Sequence, residues 1–176
     1  MSKGLIETGR LSLQELSADD GTDAAFILRL LNEPSFLKNI GDRGVHSLED
    51  AYNYLRVGPM ASYRTNGFGL YRVQVKASGA TAGLCGLVKR ATLQDVDLGY
   101  ALLPDFCGHG YAVEAATAVL ADARARLHID RIVAITDPRN EASVRVLEKL
   151  GFRYEKMVQL TPDSIELKLF AWTAEG

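Results

Sequence analysis

Hydrophobic residues recur along this chain with two periods, and the local period predicts either a strand or a helix. Arg10 to Leu16 alternates between apolar and polar residues, which predicts a first strand. The next apolar residues have helical spacing, and either Asp19 or Asp20 can cap that helix, which Pro34 is expected to end. Its apolar positions are Ala24, Phe26, Ile27, Leu30 and Leu31.

A loop is predicted from Phe36 to Val45, and a second helix follows it. Ser47 and Asp50 have the spacing of a capping box at the start of this helix, and Gly58-Pro59 is expected to end it. The apolar stripe of the helix is formed by Leu48, Ala51, Tyr52 and Leu55.

From Gly67 onward the hydrophobic period changes to two, which predicts a series of strands interrupted by two helices. An Ala-rich helix follows Gly110, and a short helix lies between Asn140 and Gly151. The pattern predicts one α/β domain over residues 1–176, with a mixed six- to seven-stranded sheet flanked by about four helices. The later strands are predicted from Gly67 to Lys76, Thr81 to Arg90, Asp95 to Leu102, Arg131 to Thr136, Phe152 to Leu160, and Ser164 to Trp172.

Composition narrows the classes of partner. The chain has 20 Lys and Arg against 22 Asp and Glu and no basic run, so no nucleic-acid partner is expected. No stretch reaches the ~18 apolar residues of a membrane span, and the N-terminus lacks the apolar core of a secretory signal. We therefore expect a cytoplasmic protein that does not interact with membranes and acts on a small molecule or a peptide. Its two cysteines and three histidines have no metal-ligand spacing, so no metal is expected.

The segment from Cys107 to Ala112 reads Cys-Gly-His-Gly-Tyr-Ala and joins a predicted strand to a predicted helix. Glycines at a helix start let free backbone N–H groups approach an anion closely, which suits a phosphate or pyrophosphate. A Walker loop would need Lys-Ser/Thr after Gly110, and a Rossmann fingerprint would need glycine at Val113. On this spacing alone, an ordinary glycine-rich helix start is an equally good interpretation.

The unit from Asp95 to Tyr154 resembles the acetyl-CoA-binding core of the GNAT superfamily of N-acetyltransferases, particularly its RimJ/RimL-like branch. The resemblance rests on LGYALLP before the loop, Glu114 after it, and NEASVRVLEKLGF further on. The first strand of that branch is matched by ETGRLSL, Glu7 to Leu13. The resemblance implies transfer of an acetyl group from acetyl-CoA to a primary amine, either a protein N-terminus or a small molecule, by direct attack in a ternary complex. It leaves a homodimer open.

In the GNAT family, two central strands splay apart after a bulge, and their backbone pairs with pantetheine as though the cofactor were a strand. The same opening can place a backbone N–H near the thioester oxygen. Cys107 departs from the usual Arg or Gln at the first loop position. The alternative interpretation of Leu102 and Leu103 is that their side chains belong to the apolar core. The alternative for Asn140 is that it caps the helix. The resemblance implies contacts with coenzyme A at Leu102, Leu103, Gly108, His109, Gly110, Tyr111, Ala112, Asn140 and Ser143.

Two residues are candidates for proton transfer. Many GNAT enzymes carry a Tyr seven residues after this Asn as the acid for the leaving thiolate, but here Leu147 occupies that position. Ser143 is the substitute that the branch implies, although an exposed serine can also be merely solvated. A base is needed because a lysine-type amine is only about one part in 10³ neutral at pH 7. Asp97 matches the strand position where several GNAT enzymes carry a Glu base, and it would act through water because Asp is one methylene shorter. An acid at the mouth of an exposed strand is the simpler alternative.

The acceptor pocket is the part of the site that the sequence defines least. The resemblance places it between Phe36 to Val45, the Tyr52 helix and the last hairpin, with contacts from Asn39, Asp42, Arg43 and Tyr100. A non-catalytic acyl-CoA-binding regulatory module is the alternative function. The missing tyrosine at Leu147 favours that alternative, whereas Asp97 and Ser143 favour an enzyme.

Overall fold

The computed structural model describes residues 6–19 and 21–174, which form one eight-stranded mixed sheet with helices on both faces. This confirms the predicted fold class, although the described residues form eight strands where six to seven were predicted and six α-helices where about four were predicted. The strands are β1 Ile6–Glu7, β2 Leu11–Glu15, β3 Leu70–Val75, β4 Thr81–Val88, β5 Asp97–Leu102, β6 Arg131–Thr136, β7 Arg153–Gln159 and β8 Glu166–Thr173. The α-helices are α1 Thr22–Leu31, α2 Pro34–Asn39, α3 Leu48–Leu55, α4 Ala61–Asn66, α5 Tyr111–Ala125 and α6 Glu141–Lys149.

The sheet opens between its two central strands. The strand order is β1-β2-β3-β4-β5-β6-β8-β7, and every neighbouring pair is antiparallel except β5 and β6. These two parallel strands pair only at Asp97 and Val133 and then diverge, which confirms the expected splay. No bulge accompanies it on the β4 side, because β4 and β5 keep one register from Val88↔Asp97 to Gly83↔Leu102. We call the resulting space between β5 and β6 the central gap.

Residues of β5 alternate between the two faces of the sheet. Leu98, Tyr100 and Leu102 pack into the cluster that contains the apolar side of α5. Ala101 and Leu103 pack into a second cluster, which is built on α1, α2 and α3. Since side chains alternate along a strand, Asp97 shares the second face with Ala101 and Leu103. The two faces of β5 therefore border two different environments at the central gap.

The N-terminal helices extend further than the sequence pattern predicts. Pro34 begins α2 instead of only ending α1, so part of the predicted loop from Phe36 to Val45 is helical. Proline is well tolerated at the first position of a helix, where its missing N–H has no helical partner to lose. Gly58-Pro59 likewise does not end α3, because a π-helical turn, Arg56–Met60, continues it into α4. The wider turn accommodates the proline, which cannot donate the usual helical hydrogen bond.

The predicted helix caps have mixed outcomes. Ser47 Oγ accepts a hydrogen bond from Asp50 N at 3.1 Å, as predicted, while the Asp50 carboxylate accepts from His46 N. Asp19 does not cap α1, which starts after a left-handed Gly21 without a side-chain cap. Asp20 lies outside the described residues. Among the helices that the structure describes, none is long and apolar enough to cross a membrane.

Candidate active site

The loop from Cys107 to Ala112 ends in an uncapped helix. Gly108 and Gly110 have φ angles of +81° and +80°, a left-handed conformation that glycine adopts without steric cost. Gly110 is the N-cap of α5, and no side chain in the described part of the chain caps the first turn of the helix. The first N–H groups of an α-helix have no partner within the helix. These donors therefore point out of the start of α5 and can bind an anion.

A network from the N-terminal strands supports this loop. Glu114, in the first turn of α5, accepts hydrogen bonds from Thr8 Oγ1 at 2.6 Å and from Arg10 Nε at 2.7 Å. Burial alone would raise the pKa of Glu114, but these bonds lower it overall. The Arg10 guanidinium lies 4.6 Å from the ring centroid of Tyr111. Arg10 is thus a cation beside the Cys107–Ala112 loop, and the ETGR match together with Glu114 is its only signal in the sequence.

Cys107 does not form a catalytic pair with His109. Its Sγ lies 3.7 Å from the Leu103 carbonyl, whereas the His109 ring stacks on Tyr111 with centroids 5.5 Å apart. Partial burial raises the pKa of the Cys107 thiol. A thiol with a raised pKa and no imidazole partner is a poor nucleophile at neutral pH.

The backbone of β5 faces the central gap at alternate residues. The N–H of Leu103 donates to the Ala82 carbonyl in β4 at 2.8 Å, and the Leu103 carbonyl accepts from Phe106 N. Since antiparallel hydrogen bonding alternates along a strand, Tyr100 and Leu102 direct their backbone groups away from β4 and toward the gap. Leu102 is therefore placed for the expected backbone pairing, whereas the N–H of Leu103 is already used and its side chain is buried.

Tyr100 connects β5 to the start of α6. Its hydroxyl lies 2.8 Å from Ser143 Oγ and 3.2 Å from the Ser143 carbonyl. Burial raises the pKa of Tyr100 to about 12, so the hydroxyl is neutral at physiological pH. The structure does not place Tyr100 with the acceptor contacts, because its side chain lies on the α5 face and not on the α1–α3 face.

Asn140 is the N-cap of α6, as its local sequence predicts. Its Oδ1 accepts a hydrogen bond from Ser143 N at 3.2 Å, which leaves the amide NH₂ group for another partner. Leu147 is only 1% exposed and belongs to the core, so the usual tyrosine position carries a packing residue here. Two residues after α6, Gly151 has a φ of +92°, and the Phe152 N–H donates to the Leu147 carbonyl, which closes the end of the helix.

Asp97 lies at the closed end of the central gap and is only 1% exposed. The idea that it is simply an acid on an exposed strand is therefore wrong. Its Oδ2 accepts from Arg90 Nε at 3.0 Å, and its Oδ1 is buried with no hydrogen-bond partner among the described residues. Burial raises the pKa of Asp97, and the Arg90 charge opposes that rise. Arg90 follows β4, and the sequence carries no local signal for its role.

The remaining predicted acceptor residues lie around the α2–α3 loop. The Asp42 carboxylate bonds to other residues of this loop: its Oδ1 accepts a hydrogen bond from Gly44 N at 2.8 Å and lies 3.3 Å from His46 Nε2. Arg43 is exposed, and its charge acts on the hydroxyl of Tyr54 in α3. Asn39 is the last residue of α2 and is half-buried. Within residues 6–19 and 21–174, no group of three or more His, Cys, Asp or Glu is arranged to hold a metal ion.

Proteins of similar sequence include two from Bacillus subtilis (strain 168). The uncharacterized protein YkkB is 34% identical over 95 residues, which are 53% of this chain and 55% of YkkB, so the match spans about half of that relative. The uncharacterized N-acetyltransferase YoaA is 26% identical over 157 residues, which are 88% of this chain and 86% of YoaA.

Solved acetyltransferases have the same fold. The RimL ribosomal L7/L12 alpha-N-protein acetyltransferase in complex with coenzyme A superposes with a TM-score of 0.79 at 20% identity, over 96% of this chain and 97% of that chain. The family model of the acetyltransferase (GNAT) domain matches residues 10–153, which include the Cys107–Ala112 loop, the central gap and α6. The chain therefore belongs to the GNAT family and is an acetyl-CoA-dependent acetyltransferase.

Proposed function

We propose that this chain acetylates a primary amine by direct attack on acetyl-CoA in a ternary complex. The observation that carries the proposal is the central gap, which opens between the backbone of β5 and β6 and leads from the uncapped start of α5 to Asp97. One end of the gap offers free N–H donors for a pyrophosphate, and the other holds a buried carboxylate. Acetyl-CoA supplies an activated acetyl thioester, which an amine can attack without a covalent enzyme intermediate.

The residues at the gap fit an extended cofactor. Backbone groups of Tyr100 and Leu102 face the opening and would pair with the pantetheine amides in the manner of an added strand. Gly108, His109, Gly110, Tyr111 and Ala112 would hold the pyrophosphate through backbone N–H groups. The free amide NH₂ of Asn140 would donate to the cofactor while its Oδ1 continues to cap α6.

Asp97 is suited to accept a proton from the acceptor amine. Its Oδ1 has unused hydrogen-bonding capacity within the part of the chain described, and burial raises the pKa of this carboxyl. A base whose pKa is closer to the working pH is more effective in proton transfer. Because Oδ1 lies below the surface, we assign the transfer to one intervening water.

Ser143 is suited to protonate the leaving sulfur, with Tyr100 as its positioning residue. If Tyr100 donates to Ser143 Oγ across their 2.8 Å contact, the serine proton is left to point into the gap. In the complete step, the amine nitrogen bonds to the acetyl carbon, and the carbon–sulfur bond breaks with its electron pair going to sulfur. When the acceptor starts as ammonium, Asp97 takes one proton through water before the attack, and the nitrogen loses a second proton to solvent after the attack. Ser143 gives its own proton to sulfur and regains one from solvent, so the products are the amide, the thiol of coenzyme A and one released proton.

The proposal is tested by measuring release of free thiol from acetyl-CoA against a panel of amines and peptides. We expect thiol release that depends on the amine, with one acetylated product per thiol. Intact-mass measurement without an acceptor should show no acetylated protein. Micromolar acetyl-CoA binding without thiol release for any amine would instead support the regulatory module.

Two variants at the start of α6 are expected to differ. Ser143→Ala should lower turnover about tenfold, because a thiol with pKa ~8.5 leaves tolerably well without help. Its acetyl-CoA affinity and Tm should stay close to those of wild type. Asn140→Ala should weaken acetyl-CoA binding and cost about 1 kcal/mol of stability through loss of the N-cap. Calorimetry and thermal melts separate the two effects, and equal losses of affinity in both variants would remove the acid role of Ser143.

Tyr100→Phe tests the positioning role at the same contact. Turnover should fall in this variant, but it should not fall further when Tyr100→Phe is added to Ser143→Ala, because the two hydroxyls act as one unit. Additive losses would show that Tyr100 acts independently of Ser143.

A further inference from the structure

The α1–α3 side of the central gap contains a buried ion pair that does not use all of its hydrogen-bonding capacity. Asp97 Oδ2 is bound by Arg90 Nε at 3.0 Å, while Oδ1 has no donor among residues 6–19 and 21–174. Leaving a buried carboxylate oxygen without a donor is costly, so such an atom needs an explanation, and a ligand that supplies the missing hydrogen bond is one.

Arg90, in turn, has N–H donors that no described residue uses. Its guanidinium carries five N–H donors, of which only Nε is engaged with the described part of the protein. The side chain is 28% exposed, compared with 1% for Asp97, so it forms the accessible side of the pair. Its two Nη groups form the flat edge that binds a carboxylate through parallel hydrogen bonds.

Tyr54 lies on the same α1–α3 side of the sheet. Tyr54 is on α3 and packs against the α1–α3 cluster, and its hydroxyl makes no hydrogen bond to any residue that the structure describes. Burial raises the pKa of this hydroxyl, and the charges of both Arg43 and Arg90 oppose that rise. Arg90 contacts Asp97 directly, and the charges of three cations, Arg43, Lys89 and Arg90, act on Tyr54 or on Asp97.

We propose that the acceptor is a small zwitterion, an α-amino acid or a close analogue, whose carboxylate binds the Nη groups of Arg90 and whose amine is served by Asp97 through water. This inference rests on the proposed N-acetyltransferase function and names its substrate class. An α-amino acid carries its amine and carboxylate on one carbon, which suits adjacent groups of opposite charge. A peptide N-terminus has the amine without the adjacent carboxylate, and a polyamine would bring a second cation toward Arg43 and Arg90.

The test compares matched acceptors in steady-state kinetics: free α-amino acids, their carboxamides, and dipeptides with the same first residue. Wild type should have a kcat/KM for the free acid at least about tenfold higher than for the carboxamide, because the neutral carboxamide cannot form the charge-assisted pair of hydrogen bonds with the guanidinium. Arg90→Gln should lower kcat/KM for every acceptor, because Asp97 loses its ion-pair partner, but the ratio of kcat/KM for the free acid to that for the carboxamide should fall at least about tenfold, mainly through KM for the free acid. Arg90→Lys keeps the charge but not the paired donors, and it should show the same selective loss if Arg90→Gln does not fold.

Arg131→Gln is the matched control, because Arg131 also forms ion pairs, with Asp95 and Glu155, outside the proposed site. It should keep the preference of wild type for the free acid. Equal or better activity of wild type on carboxamides or dipeptides would overturn the zwitterion, while thiol release with those acceptors would preserve the N-acetyltransferase function. Equal losses on all acceptors in both Arg90 variants would also overturn it, since they would indicate a purely structural ion pair.

Discussion

Replacing Asp97 with asparagine is expected to lower the acetylation rate by about 10²-fold and to leave acetyl-CoA affinity intact. Asparagine keeps the shape of the side chain but cannot accept the proton that the amine must lose. The deficit should shrink as pH rises, because neutral amine then accumulates without a base. Steady-state rates across a pH series, with acetyl-CoA binding followed by calorimetry, measure both properties.

The pH dependence of kcat/KM in the wild-type protein should reflect the ionisation of the Asp97 carboxyl. Burial raises the pKa of Asp97, so kcat/KM should fall as pH is lowered, with a midpoint above the usual carboxyl pKa of ~3.9. Asp97→Asn should abolish this fall in kcat/KM at acidic pH. A raised folded-state pKa stabilises the fold only below the unfolded pKa, and this contribution is lost as pH rises through the folded value. The Asp97 charge therefore does not stabilise the fold at neutral pH, and its removal in Asp97→Asn should not lower the Tm measured in a thermal melt.

Asp95→Asn is the matched control for Asp97→Asn. Asp95 lies two residues earlier, is partly exposed, and pairs with Arg131 Nε at 3.1 Å, away from Arg90. Its substitution should leave turnover near the wild-type value. A loss in Asp97→Asn that does not depend on pH would contradict the role as a base and would point to positioning of the acceptor.

Replacing Gly110 with valine is expected to weaken acetyl-CoA binding by at least about tenfold, or about 1.4 kcal/mol, while the fold survives. The φ of +80° strains any L side chain, and an added Cβ would lie 3.3 Å from Arg10 Nη2. Both effects shift the backbone whose N–H groups would hold the pyrophosphate. Calorimetry with acetyl-CoA gives the affinity, and circular dichroism confirms the fold.

Gly79→Val separates backbone strain from loss of binding. Gly79 has a φ of +76° in the turn after β3, and an added Cβ would meet no atom within 4 Å. This variant carries a similar conformational cost away from the gap, so its acetyl-CoA affinity should equal that of wild type. Unchanged affinity in a folded Gly110→Val protein would remove the pyrophosphate assignment.

Features that depend on nearby residues were predictable from the sequence. Ser47 and Asn140 cap their helices as predicted because each bond joins residues three positions apart. The Pro59 turn was not predicted, because a π-helical turn depends on packing along the whole α3–α4 segment and not on Gly58-Pro59 alone.

The site itself was only partly predictable. Asp97 and Tyr100 differ in parity along β5, so the alternation of a strand already placed them on opposite faces, although both were expected near the acceptor. The position of Arg90 beside Asp97 could not be predicted from strand alternation. Its contact with Asp97 bridges the connection between β4 and β5, and a single arginine in a loop has no pattern that distinguishes it from a solvated charge.

Amide chemical shifts during titration with coenzyme A show whether the cofactor occupies the gap between β5 and β6, as we propose. We expect large shifts for the N–H groups of Tyr100, Leu102 and the Gly108–Ala112 loop, and small shifts for Gly79 in its distant turn. Exchange protection should appear at Leu102 on binding, whereas Leu103, already bonded to Ala82, should be protected beforehand. Saturable binding that leaves the amide shifts of Tyr100, Leu102 and residues 108–112 unchanged would mean that coenzyme A binds outside the gap.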